Sequence, residues 1–201
     1  LRKCPQKVKY SQVVNAEPQR NQRILAWTLA ILIVGVSSTA GEPQEAGVFV
    51  SGQDGYHTYR IPSSIVTTKG TLLAFCEGRK NSRSDTGDID LVMKRSKDGG
   101  KSWSPMSVLW DDGPNTCGNP CPVVDQKTGT IHLLLTWNSG KVHESKIKPW
   151  FGEDSRRVFI SSSTDDGHNW TKPKEITAAT KKKDWAWYAT GPGVGIQIEN
   201  G

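Results

Sequence analysis

Arg60, Arg79 and Asp85 fall within the stretch from Tyr59 to Trp103, and their types could do chemistry together. A guanidinium presents a planar fork of N–H donors that matches a carboxylate. A carboxylic acid beside it can deliver a proton or remove one. Converging on one cavity, these side chains would hold an anionic ligand and perform acid–base work on it, and Asn119 would add an amide. On residue type alone, Arg60 could instead pair with a carboxylate of a neighbouring unit. Asp85, between Arg83-Ser84 and Thr86, could equally be a turn former. The elements that carry these residues decide between the two outcomes.

From about Val48 onward the chain is a series of short apolar or alternating runs punctuated by Gly, Pro, Asn and Asp, the pattern of an all-β protein. One set of strands is expected at 61–67, 71–77, 89–95 and 107–110, and a second at 122–125, 130–137, 157–162 and 174–177. An octapeptide recurs between the third and fourth strand of each set. Ser96, Asp98, Gly100 and Trp103 in the first copy match Ser163, Asp165, Gly167 and Trp170 in the second, 67 residues later. Such a segment suits a hairpin turn, in which Ser and Asp oxygens accept backbone N–H groups, Gly supplies positive φ and Trp packs beneath the strands. Asp98 and Asp165 are therefore read as structural, and Trp103→Ala is expected to open a core cavity costing about 3–5 kcal/mol. Four-stranded units with an aromatic turn motif once per unit indicate a β-propeller. The chain holds two blades and the start of a third near Tyr188.

Blade topology sorts the residues by face. In an up-and-down blade, the entry to strand one and the loop between strands two and three share a face, and the other turns lie opposite. Arg60, Arg79, Arg83 and Asp85 thus share one face, with Asn119, Trp150, Trp185, Trp187 and Tyr188 arriving from later segments. The octapeptides belong to the opposite face. The first face suits an anionic, carbohydrate-like ligand. Lys181, Lys182 and Lys183 read as a solvated run, and Asp88 and Asp90 as local hydrogen-bonding groups.

The formal charge of +6 arises mostly in residues 1–40, which hold six Lys or Arg and one acid. The remainder carries 20 basic and 19 acidic residues, so the charge supplies no case for nucleic acid as a partner. Within this leader, Arg20 and Arg23 precede a 13-residue apolar run, Ile24 to Val36, and then small residues that suit a signal-peptidase cut after Ala40. The run is short against the roughly 20 residues of a membrane span. Export as a secreted or periplasmic protein is expected, with membrane anchoring through the uncleaved run as the alternative. The domains are accordingly a leader, 1–40, and a partial propeller, 41–201. Of the four cysteines, Cys4 belongs to the leader and Cys76 reads as a buried thiol. Cys117 and Cys121 read as loop residues able to form a small disulfide after export. No His or Cys spacing suggests a metal site.

These residues together resemble the N-terminal part of the exo-α-sialidase (neuraminidase) family. Tyr59-Arg60-Ile61-Pro62 is similar to that family's arginine motif, and the octapeptides are similar to its Asp-boxes, or BNR repeats. Glu77-Gly78-Arg79-Lys80 followed by Asp85 repeats the family's spacing. The resemblance covers residues 48–201 and implies a six-bladed propeller, a hydrolase that releases terminal sialic acid from glycoproteins, glycolipids or oligosaccharides with retention of configuration, without a cofactor or metal. It implies that Arg60 grips the sugar carboxylate, Arg79 lines the pocket, Asp85 is the general acid and base, and Asn119 contacts a sugar hydroxyl. The nucleophile in such enzymes is a tyrosine. The resemblance places that tyrosine, its glutamate and two further arginines in later blades, beyond Gly201, so these 201 residues are not expected to be a competent enzyme alone. A non-catalytic Asp-box propeller that binds glycans or proteins is the alternative.

Overall fold

The computed structural model describes residues 46–198 of the chain. The leader and its proposed cleavage site lie outside them. Among the described residues, no helix is long and apolar enough to cross a membrane.

Blade one consists of β1 (Thr58–Val66), β2 (Leu72–Arg79), β3 (Ile89–Ser96) and β4 (Ser107–Trp110), all antiparallel. Blade two consists of β5 (Thr116–Val124), β6 (Ile131–Asn138), β7 (Arg157–Ser163) and β8 (Lys174–Glu175), again antiparallel. A single parallel pair, Ile89 with Thr116, joins β3 to β5. The sheet-rich, unclosed arrangement is the partial β-propeller expected from the repeat. One strand is shorter than its sequence pattern: β8 ends at Glu175, and Thr177–Thr180 forms a single helical turn, α1.

The strands follow period-two burial. Leu73 and Phe75 of β2, with Leu91 and Met93 of β3, point one way and pack against Val124, Ile131, Leu133 and Leu135 of blade two. The core therefore lies between the blades. Cys76 and Val92 point the other way, against Tyr56 and Tyr59. Cys76 is a buried free thiol, as expected.

The first strand of each blade begins earlier than its sequence pattern suggested. Pro62 and Pro120 lack an N–H for a ladder, so the preceding residues resemble loop. The fold absorbs each proline in a bulge instead. Register shifts occur between Arg60 and Ser63 in β1 and between Gly118 and Cys121 in β5. The residue before each proline, Ile61 (φ 56°) and Asn119 (φ 54°), takes a left-handed conformation. Asn119, Cys117 and Cys121 consequently stand in a strand and not in a loop. Cys117 and Cys121 are both free thiols. A strand rising about 3.3 Å per residue carries them roughly 13 Å apart at full extension, beyond the about 4.4–6.8 Å that a disulfide spans.

The octapeptides close the ends of the strands remote from Arg60, Arg79 and Ile89. In the first, Gly100 N donates to Ser96 Oγ (2.8 Å), Ser102 N to Asp98 Oδ1 (2.9 Å) and Trp103 Nε1 to Gly100 O (3.1 Å). The second repeats each bond, from Gly167 N to Ser163 Oγ (3.0 Å), Asn169 N to Asp165 Oδ1 (2.8 Å) and Trp170 Nε1 to Gly167 O (3.3 Å). A residue that the consensus does not include then clasps the blades together. Asp166 of the second turn accepts from Thr67 Oγ1 (2.5 Å) and Thr71 Oγ1 (2.7 Å) and pairs with Arg95 (3.0 Å), all in blade one.

The two tryptophans are not equivalent. Both are half-buried, but Trp103 stands apart from the core, whereas Trp170 packs on it, edge-on to Phe75 at 5.8 Å. The cavity cost expected at Trp103 therefore transfers to Trp170. We predict that Trp170→Ala destabilises by about 3–5 kcal/mol and Trp103→Ala by clearly less, as read by chemical denaturation; the reverse order would contradict this packing.

Hydrogen bonds from the Ser102 side chain and backbone, and from Ser96, hold the Asp98 carboxyl down to about 2 from an ordinary 3.8. Bonds from Asn169 and Ser163 depress Asp165 further in the same direction. Because the folded-state value is the lower one, each turn contributes its full stability above about pH 4 and loses it as pH falls through the folded value. The melting-temperature gap between the wild type and Asp98→Asn should hold at neutral pH, shrink below about pH 4 and close near pH 2.

Candidate active site

At the opposite ends of the strands lies a cavity of about 250 Å³, lined by residues that include Arg60, Glu77, Arg79, Asp85, Asn119 and Arg156. The fold thus brings Arg60, Arg79, Asp85 and Asn119 to one place. Trp187 also lines the cavity, whereas Arg83, Trp150, Trp185 and Tyr188 do not. Trp185 instead stacks on Tyr188 at 5.4 Å and 19°.

Each side chain reaches its position for a local reason. Arg60 sits at the β1 bulge, which re-aims a side chain at the cost of strain at Ile61. Arg79 is the last residue of β2 and is only 3% exposed. Its Nη2 pairs with Glu77 Oε2 at 2.7 Å, and its Nη1 donates to the carbonyl oxygens of Arg83 and Ser84, each at 2.8 Å. Those two carbonyls shape the loop that carries Asp85. The Asp85 carboxylate is half exposed, and its Oδ1 meets Arg60 Nη1 and Arg79 Nη2, each at 2.8 Å. Arg60 therefore pairs within its own blade and on the cavity.

Sequence reasoning gave Glu77 no role beyond spacing, yet it joins the two blades. It is 2% exposed; Oε2 holds Arg79, and Oε1 accepts from Asn119 N (3.0 Å) and Asn119 Nδ2 (3.3 Å). A β-carbon on Gly118 would lie 2.2 Å from Glu77 Oε1, so glycine is required there. Asn119 is buried, and its carbonyl accepts from Thr190 Oγ1 at 2.6 Å. The β5 bulge, like that of β1, thereby presents a polar residue to the cavity.

Two cations were also missed. Arg156, next to β7, is 5% exposed and donates to Asn138 Oδ1 (2.5 Å) and Thr136 Oγ1 (2.8 Å). Burial pushes its pKa down. The expected solvated lysine run is corrected at its first member. Lys181 is buried, with Nζ donating to Arg156 O (2.8 Å) and Trp150 O (3.4 Å). Burial, and the charge of Arg156, lower its pKa. A usable signal for Arg156 existed in the 67-residue repeat, which aligns it with Ile89, the apolar start of β3. Asp90 behaves as expected, accepting from Tyr56 OH at 2.5 Å and pairing with Lys80.

The arrangement couples the Asp85 carboxyl to two guanidiniums at the wall of the cavity. Such a site can hold an anion and move a proton beside it.

Comparison with known proteins agrees with the fold. The BNR repeat-like domain family matches residues 70–201, and the chain belongs to that family. Its relatives within it are sialidases. It is 39% identical over 166 residues to an exo-alpha-sialidase of Aspergillus fumigatus, an alignment spanning 73% of this chain and 40% of that protein. It is 33% identical over 220 residues to an exo-alpha-sialidase of Arthroderma benhamiae, spanning 89% of this chain and 53% of that protein. Among solved structures, the Hadza microbial sialidase Hz136 superposes with a TM-score of 0.70 at 32% identity, covering 75% of this chain and 32% of that one. The chain spans about half the length, or less, of the relatives it matches.

The buried pair makes a testable demand. Glu77→Gln leaves the Arg79 charge buried with only the half-exposed Asp85 beside it. Removing one partner of a buried pair should destabilise the protein by about 3–5 kcal/mol in a denaturant titration. A loss below about 1 kcal/mol, the range of surface pairs, would show that Glu77 is not the anchor.

Proposed function

We propose that this chain supplies part of the active site of an exo-α-sialidase acting on sialylated glycoproteins, glycolipids or oligosaccharides. The observation that carries this reading is Asp85 held at the cavity by Arg60 and Arg79. Sialidase relatives and a sialidase structural neighbour support it.

In this reading Arg60 receives the sugar carboxylate. That carboxylate competes with Asp85 for the guanidinium, so binding loosens the Arg60–Asp85 pair. Asp85 then donates a proton to the glycosidic oxygen as the leaving alcohol departs, and afterwards takes a proton from the water that attacks the anomeric carbon. The intermediate between the two steps is an aryl glycoside, in which the phenolic oxygen of a tyrosine, the nucleophile characteristic of sialidases, is bonded to the anomeric carbon after its proton passes to the paired glutamate. Water then displaces the phenol, which recovers that proton, and two displacements retain the configuration. Arg79 positions Asp85, and Asn119 offers its amide at the wall where a sugar hydroxyl would lie. The octapeptide turns act as the Asp-boxes that close each blade. The N-terminal leader serves as the export signal and brings the propeller to extracellular glycans.

The test uses the full-length protein and a fluorogenic sialoside. Asp85→Ala should lower turnover by about 10²–10⁴-fold while melting stays near the wild type, because Arg79 retains Glu77 as its buried partner. Wild-type protein that binds sialosides and releases no sialic acid would instead identify a non-catalytic glycan-binding propeller.

A further inference from the structure

Arg156 is a buried cation that forms no ion pair among the described residues. Among the cavity-lining guanidiniums, Arg60 pairs with Asp85, and Arg79 pairs with Glu77 and Asp85. Among the described residues Arg156 has no carboxylate within ion-pair distance, and its hydrogen-bond partners there, Asn138 Oδ1 and Thr136 Oγ1, are neutral. Its buried Nε has no hydrogen-bond acceptor among the described residues. The Trp187 ring lies over its Cζ at 5.4 Å, so an approaching group must meet the guanidinium at its edge.

The repeat shows that the fold does not need a cation at this position. Ser163 follows Ser96 by 67 residues, and the same offset places Arg156 on Ile89. Ile89 is a fully buried core residue paired with Arg79. An apolar side chain therefore serves the same place in blade one without the cost of desolvating a charge. The backbone at Arg156 is also pinned by the buried Lys181 ammonium at 2.8 Å. A charge buried at a cost, held rigidly and left with unused donors at a cavity wall is an acceptor-binding group.

We infer that Arg156 is a second recognition point of this cavity, donating to an oxygen substituent of the bound sugar other than the carboxylate assigned to Arg60. This rests on the sialidase reading. A guanidinium has donors only, so it selects an acceptor oxygen and disfavours an apolar group that would leave it unsolvated. Arg156 belongs to blade two and Arg60 to blade one, and the cavity is small enough for a single sugar to reach both walls.

The experiment measures binding of free sialic acid (N-acetylneuraminic acid), and of analogues each lacking one oxygen substituent, to the full-length wild type, Arg156→Met and Arg156→Lys. Arg156→Met should weaken binding of the parent sugar at least tenfold. One analogue should bind the wild type at least tenfold more weakly than the parent does, yet bind Arg156→Met no more weakly than the parent. Such coupling marks a direct contact, which a general loosening of the fold cannot mimic. Equal losses for every analogue in wild type and variant would overturn the inference. Should Arg156→Met fail to fold, the wild-type Nε–H resonance that vanishes in Arg156→Lys decides the matter. It should move as sialic acid is added, and a signal unmoved at saturation overturns the inference. Wild type that binds none of these sugars would refute the sialidase reading itself, which binding of the parent sugar distinguishes from failure of the Arg156 contact alone.

Discussion

The buried pair of Glu77 and Arg79 is the interaction on which the site depends. Both side chains are nearly inaccessible, and their contact at 2.7 Å lies on β2, between β1 and β3. Burying two charges is costly, and a pair of this kind is weak support for stability by itself. Its value here is geometric. Arg79 uses its other donors to fix the loop bearing Asp85, and Glu77 uses its other oxygen to fix Asn119 of the next blade. One ion pair thus sets the positions of a carboxyl group, a guanidinium and an amide.

The two ends of the strands divide the labour. At one end, the octapeptide turns satisfy their own polar groups, and the turn of blade two reaches back to blade one through Asp166. Hydrogen bonds there serve closure. At the other end, the bulges of β1 and β5 interrupt the ladders next to prolines and hold Ile61 and Asn119 in left-handed conformations. Strain of this kind costs of order 1–3 kcal/mol per residue, and it lies where side chains face the cavity. The inter-blade core of Leu73, Phe75, Ile131 and Leu133 lies between the two ends.

Duplication with divergence is visible position by position. Arg79 pairs with Ile89 in blade one, and extending the blade-two register one residue past Trp137 and Arg157 sets Asn138 beside Arg156, whose guanidinium it holds. Blade one places its cation at the end of β2 and its apolar residue at the start of β3. Blade two reverses the pattern, with a cation, Arg156, just before β7 supported by a neutral amide and hydroxyl on β6. Equivalent ends of the two blades therefore carry an ion-paired carboxyl–guanidinium cluster in one and a guanidinium held by neutral partners in the other.

The amino-acid sequence by itself determined the all-β class, the blade repeat, the shared face of Arg60, Arg79 and Asp85, and the structural role of Asp98 and Asp165. These follow from period-two patterning, turn chemistry and alternation of loops, all local in sequence. Only the tertiary structure decided the rest. Proline beside Ile61 and Asn119 looked like loop because a missing N–H breaks a ladder; that a bulge would absorb it is a property of the paired strands. Lys181 looked solvated beside Lys182 and Lys183 because charge runs usually are, and its burial depends on carbonyls of Trp150 and Arg156 that lie 25 or more residues away. Trp103 and Trp170 share a motif, but only the second has a neighbouring blade's core beneath it. Glu77 gained its role from a strand 42 residues distant. Such contacts between segments remote in the chain carry no local pattern, so they became legible only once the blades were packed together.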